Sequence, residues 1–161
     1  MTDVQSEALT AARAADGLPY DVFFSYRHQE PDRSWVRKTL LPRLEAAGLR
    51  TFIDVRDFRL GEALVLEMAR GVEQSRYTLA VLTPSYLESN FTELENVLAD
   101  HLGLEQSQLR LIVITREKAR PRLGIRARLS LDMSDDDQFE DNLRSLVKAL
   151  SQPSSRAPSS S

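Results

Sequence analysis

Four short runs of apolar and aromatic residues recur along the chain: Tyr20–Tyr26 (YDVFFSY), Arg50–Val55 (RTFIDV), Tyr77–Thr83 (YTLAVLT) and Leu109–Thr115 (LRLIVIT). Each is rich in β-formers and nearly continuous in hydrophobicity, the pattern of strands covered on both faces. A fifth, weaker strand is predicted over Arg128–Asp132. The segments between them follow helical spacing. Trp35–Ala47 sets Trp35, Leu40, Leu41 and Leu44 along one face and stops at Gly48, which suits a C-terminal cap. Ala63–Gln74 repeats Leu64, Met68 and Val72 at fourfold spacing, and Phe91–Leu102 and Phe139–Leu150 behave likewise. Arg116–Arg126 carries Pro121 and has no such period. Strands alternating with helices imply right-handed βαβ units, hence an α/β fold with a doubly wound parallel sheet.

The pattern places one domain over 20–150. Residues 1–19 read as a polar, Ala-rich extension without the apolar stretch of a signal peptide. The segment 151–161 (SQPSSRAPSSS) has too little apolar surface to offset its chain entropy. It reads as a disordered tail or as a linker to a further, sensor-type domain. No stretch approaches the ~20 apolar residues of a membrane span, and the expected location is cytoplasmic.

Composition narrows the chemistry. A chain of 161 residues with 42% hydrophobic and 28% charged residues suits a single globular domain. The net charge of −3 gives no general pull towards nucleic acid or anionic membrane. With no cysteine there are no disulfides, thiolate metal sites or cysteine nucleophiles, and His28 and His101 alone make no zinc site. No metal site is expected. Arg116, Lys118, Arg120, Arg122, Arg126 and Arg128 form a local basic run. Lacking interleaved aromatics, it reads as a solvated or partner-binding surface rather than a nucleic-acid site.

One carboxylate stands out. With each residue advancing about 100° around a helix, Leu94, Leu98 and Leu102 fall within about 60° of Phe91, and Glu95 falls at about 40°, inside the apolar stripe. Glu93, Asn96 and Asp100 point away. An ionised carboxylate among leucines is costly unless it finds partners or reaches a cleft. Asn90-Phe91-Thr92-Glu93 fits a capping box, which gives Glu93 a structural role and sets Glu95 near the first turn. The bland alternative is that Glu95 sits at the stripe's edge and snorkels to solvent or to an arginine.

YDVFFSYRH at 20–28, RTFIDVRDFRLGEAL at 50–64 and LAVLTPSYLESNF at 79–91, with the helix that follows, resemble Toll/interleukin-1 receptor (TIR) domains, from about Tyr20 to Leu150. The resemblance implies a flavodoxin-like five-stranded sheet of order 2-1-3-4-5, with ligands outside the carboxyl ends of the strands. Those ends are Ser25–His28, Val55–Gly61 and Thr83–Ser85. It is nearest in pattern to the NAD-cleaving bacterial and animal axon-degeneration members. In NAD-cleaving TIR domains the catalytic glutamate lies four residues after an aromatic position, usually tryptophan. Glu95 lies four after Phe91, with phenylalanine in place of that tryptophan.

The implied activity is an NAD⁺ glycohydrolase or cyclase that works when TIR domains assemble, in immune or antiphage signalling. NAD⁺ is then substrate and no cofactor is needed. Expulsion of neutral nicotinamide from a cationic ring requires no acid, and one carboxylate can stabilise the ribosyl cation that develops. By the same resemblance Arg27 faces the pyrophosphate, with a surface pairing to Glu30 or Asp32 as its alternative. Asp57, Phe58 and Gly61 anchor the loop Val55–Leu66, which closes over nucleotide and mediates TIR–TIR contact, or is simply a mobile connection. Ser25, Tyr26 and Ser85 are candidate ligand contacts, Phe91 a candidate stacking partner, and His28 a minor one. The competing function is a non-enzymatic adaptor acting through TIR–TIR contacts. A phosphoacceptor receiver lacks its acidic cluster here, whereas a nucleoside deoxyribosyltransferase also sets a carboxylate against a sugar C1′.

Overall fold

The computed structural model describes residues 3–117 and 126–154. Helix α1 (Asp3–Asp16) precedes β1 (Tyr20–Ser25), which is followed by α2 (Asp32–Ser34), a π-helical stretch Trp35–Leu40 and α3 (Leu41–Ala46). Then come β2 (Thr51–Phe52), α4 (Asp54–Asp57), α5 (Leu64–Gln74), β3 (Ser75–Leu82), α6 (Pro84–Ser89) and α7 (Phe91–Arg110). β4 (Leu111–Thr115), β5 (Leu129–Asp132), a 3₁₀ turn (Asp136–Gln138) and α8 (Phe139–Leu150) complete the order. The five strands pair in parallel in the order β2-β1-β3-β4-β5, the flavodoxin-like α/β topology expected.

Alternate side chains of β1, β3 and β4 feed two cores. Val22, Phe24, Tyr77, Leu79, Val81, Ile112 and Ile114 pack with Leu40, Leu44, Leu146 and Leu150 on one face. Phe23, Ala80, Leu82, Leu111 and Val113 pack with Met68, Val72, Leu94 and Leu98 on the other. This double covering is why the strands are so continuously apolar in sequence. No helix among the described residues is long and apolar enough to cross a membrane.

Several boundaries differ from the pattern for identifiable reasons. β2 is two residues long because Ile53 is the last extended residue before α4, so the tail of RTFIDV is helical. The helix predicted over Trp35–Ala47 contains the π-helical stretch, where the Leu41 N–H bonds the Val36 carbonyl. Pro42 has no N–H to continue the regular ladder across this point. At its end Gly48 (φ 90°) donates to Glu45 and Leu49 donates to Leu44, a Schellman cap as anticipated. α7 runs past Leu102 to Arg110 through a break at Gly103 (φ 77°).

Residues 1–19, read as a polar extension, contain α1. Leu9 and Ala12 are buried, and polar residues at the helix end enter a buried charge cluster beneath the amino ends of the strands. Asp21 binds Arg13 (2.5 Å), Arg50 (3.2 Å) and Arg76 (3.0 Å), and Arg76 also reaches Asp16 (3.2 Å). Of the segment 151–161, Ser154 donates its N–H and hydroxyl to Asp16, both at 2.9 Å, and residues 155–161 lie outside the described residues.

Burial alone would raise the carboxyl pKa of Asp21, but hydrogen bonds from Arg13, Arg50 and Arg76 outweigh it and hold the group well below the usual range. Asp16 is likewise lowered, against burial, by Ser154 and Arg76. Because the folded-state values lie below the unfolded ones, this stabilisation is present above about pH 4 and is lost as pH falls through the folded values. Urea midpoints measured against pH are therefore expected to drop from about pH 4 downward, with a shallower slope in Asp21→Asn. An unchanged slope in that variant would contradict the assignment.

Gly71 positions the sheet against α5. A Cβ there would come within 2.6 Å of the Phe23 ring. That ring is flanked by Phe52 (5.6 Å between centroids) and Phe58 (6.2 Å), so it has little room to move. Alanine would gain about 1 kcal/mol of helix propensity and lose about 1–3 kcal/mol to overpacking. A net loss is expected for Gly71→Ala, read as a lower urea midpoint; a gain would show that Phe23 can move aside.

Candidate functional site

Three loops meet at the carboxyl ends of β2, β1 and β3, and the predicted site residues lie on them or on the helix after β3. β1 ends at Ser25, whose hydroxyl lies 2.6 Å from the Tyr86 hydroxyl. Tyr86 is fully buried on α6, a short helix capped by Thr83, whose side-chain oxygen accepts the Tyr86 N–H at 3.2 Å. The Thr83 hydroxyl in turn donates to buried Asp32 at 2.7 Å, tying the loop after β1 to the end of β3. Burial pushes the Tyr86 hydroxyl pKa up, the Ser25 bond opposes this, and the charges of Glu95 and Glu93 add to the rise. The charges of both glutamates thus reach Tyr86, whose hydroxyl meets Ser25 at the end of β1.

Glu95 is half-buried on the first turns of α7, between buried Leu94 and Leu98. Its placement follows the helical wheel. Asn96 and Asp100 are exposed as expected, but Glu93 is half-buried and the capping box is not formed, since the Asn90 side chain makes no capping hydrogen bond. Phe91 is 2% exposed and packs edge-on to Tyr86, with ring centroids 5.8 Å apart. The position that resemblance assigned to stacking on nicotinamide is thus turned into the core between α6 and α7.

Other predicted contacts also have internal duties. Tyr26 is buried, donating to Asp54 Oδ1 at 2.6 Å and accepting from Arg37 Nε at 2.8 Å. Burial, then the Asp54 bond, raise its pKa against the pull of Arg37. Arg27 is half-exposed and donates to the Gln29 side chain at 2.6 Å, not to Glu30 or Asp32. Ser85 is half-exposed at the start of α6.

The loop after β2 is anchored at its start. Asp57 accepts the Ile53 N–H at 2.9 Å, and Phe58 packs on Phe23 and Phe52. Arg70 donates to the Asp57 carbonyl at 2.5 Å, and the Arg59 N–H is held by Glu67. Gly61 takes φ 85°, a left-handed geometry that side chains resist. Beyond these anchors Val55, Leu60, Leu64, Val65 and Leu66 are exposed, so Leu64 lies outside the buried stripe expected of it.

Two residues escaped the sequence reading. Tyr86, just past the strand end at Thr83–Ser85, was not singled out, and its full burial and its bond to Ser25 distinguish it. Asp54 sat within a strand-like run, although a carboxylate at the end of an apolar run is a readable signal.

Of the basic run, Arg116 bonds the Met133 carbonyl (2.9 Å) and Asp136 (2.7 Å) and stacks over Trp35 at 4.7 Å. Arg128 bonds the Leu109 carbonyl at 3.1 Å. These two are therefore partnered within the domain, while Lys118, Arg120 and Arg122 lie outside the described residues. A separate cleft of about 520 Å³ is lined by Asp32, Trp35, Lys38, Arg116 and Ser134 among others, on the α2 side of the sheet. It includes none of the predicted site residues.

Comparison with known proteins agrees with this architecture. Bovine Toll-like receptor 6 is 30% identical over 97 residues, covering 60% of this chain and 12% of the receptor. The NAD(+) hydrolase TirS of Staphylococcus aureus (strain MSSA476) is 26% identical over 95 residues, covering 59% of this chain and 33% of TirS. The chain thus corresponds to a minor part of each relative's length. The crystal structure of the TIR domain of the Toll-related receptor TRR-2 from Hydra magnipapillata superposes with a TM-score of 0.63 at 26% identity, covering 81% of this chain and 98% of that domain. The family model for the TIR domain matches residues 22–147, and on that match, carried by the sheet order and by the loops just described, this chain belongs to the TIR domain family.

Proposed function

We propose that this domain cleaves NAD⁺ at the nicotinamide–ribose bond, as a glycohydrolase or cyclase, with Glu95 as the catalytic carboxylate. The observation that carries the reading is the position of Glu95: half-buried between two buried leucines, on the first turns of the helix that starts beside the β3 end. A carboxylate partly shielded from water stabilises positive charge more strongly than one in bulk solvent. The likeness to TirS, named an NAD(+) hydrolase, is in keeping with it.

In this mechanism the C1′–N bond breaks with its electron pair on nicotinamide, which leaves neutral, and the Glu95 carboxylate faces the ribosyl cation. Arg27 supplies positive charge for the pyrophosphate and Ser85 a hydroxyl at the opposite lip. Ser25 and Tyr26 support the crevice from beneath, because their hydroxyls are committed to Tyr86 and to Asp54 with Arg37. Asp57, Phe58 and Gly61 hold the loop whose apolar residues, Leu60 foremost, suit contact with a second TIR domain. Assembly of copies in immune or antiphage signalling, a cytoplasmic setting with ready NAD⁺, and a further domain beyond the tail belong to the same proposal.

A second reading is a non-enzymatic adaptor working through TIR–TIR contacts. Burial of Phe91, which removes the expected stacking surface, and the likeness to Toll-like receptors favour it. The two part on one experiment: nicotinamide release from NAD⁺ by concentrated wild-type protein and by Glu95→Ala. Release by the first and not the second supports the enzyme; assembly without release supports the adaptor.

A further inference from the structure

Capture of a ribosyl cation by water leaves a proton that must go somewhere, and few groups in this chain accept one near neutral pH. There is no cysteine, and there are two histidines. Unperturbed carboxylates, lysines and tyrosines titrate far from pH 7. His101 lies ten residues along α7 from Phe91, about 15 Å by helical rise, and its Nδ1 is 2.7 Å from Glu73 of α5. It is remote from the carboxyl ends of the strands. His28 is three residues past the end of β1, on the loop at the carboxyl end of that strand.

The His28 imidazole is 49% exposed, with its Nε2 at 3.3 Å from Asp54 Oδ2 and its ring 4.7 Å from that of Tyr26. Asp54 is 14% exposed and held on its other oxygen by the Tyr26 hydroxyl, with Arg37 Nη2 at 3.6 Å. A carboxylate fixed in this way favours the proton on Nε2 and leaves the lone pair on Nδ1. That is the arrangement by which a carboxylate orients a histidine base.

We infer that His28, oriented by Asp54, is the general base that takes the proton of the attacking water. The inference rests on the NAD⁺-cleaving reading of Glu95. Water oxygen bonds to C1′, its proton passes to His28 Nδ1, and the imidazolium is stabilised by Asp54 until it releases the proton to solvent. The sum is NAD⁺ plus water giving ADP-ribose, nicotinamide and H⁺. Because His28 lies on the loop after β1 and Asp54 begins α4 after β2, the base is complete only when those two segments are in register.

The alternative is that the pair is a clip between two loops, and a pyridine nucleophile separates the two. The ring nitrogen of 3-acetylpyridine attacks C1′ with no proton to lose, so base exchange needs no base. The full chain is incubated with NAD⁺ with and without 3-acetylpyridine, and products are quantified for wild type, His28→Gln, Asp54→Asn and Glu95→Gln, with folding checked by circular dichroism. Hydrolysis by His28→Gln is expected to fall about 10²-fold while its base exchange stays within about twofold of wild type. Asp54→Asn should fall in the same sense, and Glu95→Gln should lose both products. An equal fall in both products in His28→Gln, or no fall in hydrolysis, overturns the inference while leaving Glu95 in place. A folded, assembled wild type that yields neither product overturns the reading of Glu95, and the inference with it.

Discussion

Arg76→Met is expected to destabilise the domain by about 3–5 kcal/mol, a larger loss than that expected of Gly71→Ala. The Arg76 side chain is fully buried. Its guanidinium donates to Asp21 at 3.0 Å, Asp16 at 3.2 Å, the Gln152 carbonyl at 2.9 Å and the Leu150 carbonyl. Methionine fills much of the same volume but satisfies none of these acceptors. Asp21 would retain Arg13 and Arg50, whereas Asp16, a buried charge, would lose its guanidinium partner and keep the Ser154 bonds.

The loss is thus a matter of stranded acceptors more than of the ion pair's own attraction, and it should shrink when Asp16 is neutralised as well. A double-mutant cycle with Asp16→Asn, read by urea denaturation, is expected to give a coupling of about 1–3 kcal/mol. Because Asp16 ends α1 while Gln152 and Ser154 follow α8, the amides of α1 should also exchange faster in Arg76→Met. A loss below about 1 kcal/mol would place the cluster with surface ion pairs and contradict its description as a buried anchor.

Glu95→Gln is expected to lower nicotinamide release by about 10³-fold, with KM for NAD⁺ changed far less. Glutamine preserves size and hydrogen-bonding capacity but cannot oppose the positive charge that develops at C1′. The effect therefore belongs to the transition state and falls on kcat. Glu93 supplies the control, since its charge also reaches Tyr86 but it lies off the apolar stripe. Glu93→Gln should retain most of the activity, and an equal loss in the two variants would mean that general negative potential, not a positioned carboxylate, does the work.

The strands β1, β3 and β4 were legible because they are buried on both faces, which writes itself into sequence as an unbroken apolar run, whereas β5 exposes Ser130 and Asp132 and reads more weakly. The helix carrying Glu95 was legible from its apolar stripe, and the charged residue inside that stripe is the one that the proposed function rests on. The ends of elements were less so. Ile53 is apolar and extended, and nothing in RTFIDV announces that the chain turns helical at Asp54. α1 escaped because its contribution is made largely by charges, Arg13 and Asp16, whose partners Asp21, Arg76 and Ser154 are distant in sequence.

Several candidate site residues have internal packing or hydrogen-bonding roles that the sequence did not reveal. For Phe91 two signals conflicted: the helical wheel put it in the core, and the family pattern put it against the ligand. Packing against Tyr86 decided in favour of the wheel. Arg116 and Arg128 looked solvated because consecutive charges usually are, yet both find backbone carbonyls and aromatic faces supplied by remote segments. The His28–Asp54 pair joins loops from two strands, and no local pattern in either segment reveals it.

In the proposed reaction the carboxylate of Glu95 drives cleavage of the nicotinamide–ribose bond. The decisive measurement is nicotinamide release from NAD⁺ by wild type and Glu95→Gln, compared at concentrations where both are assembled and folded. Steady release by wild type and a loss of about 10³-fold in the variant are expected. Equal rates in the two proteins, or no release from an assembled wild type, would contradict that role of Glu95.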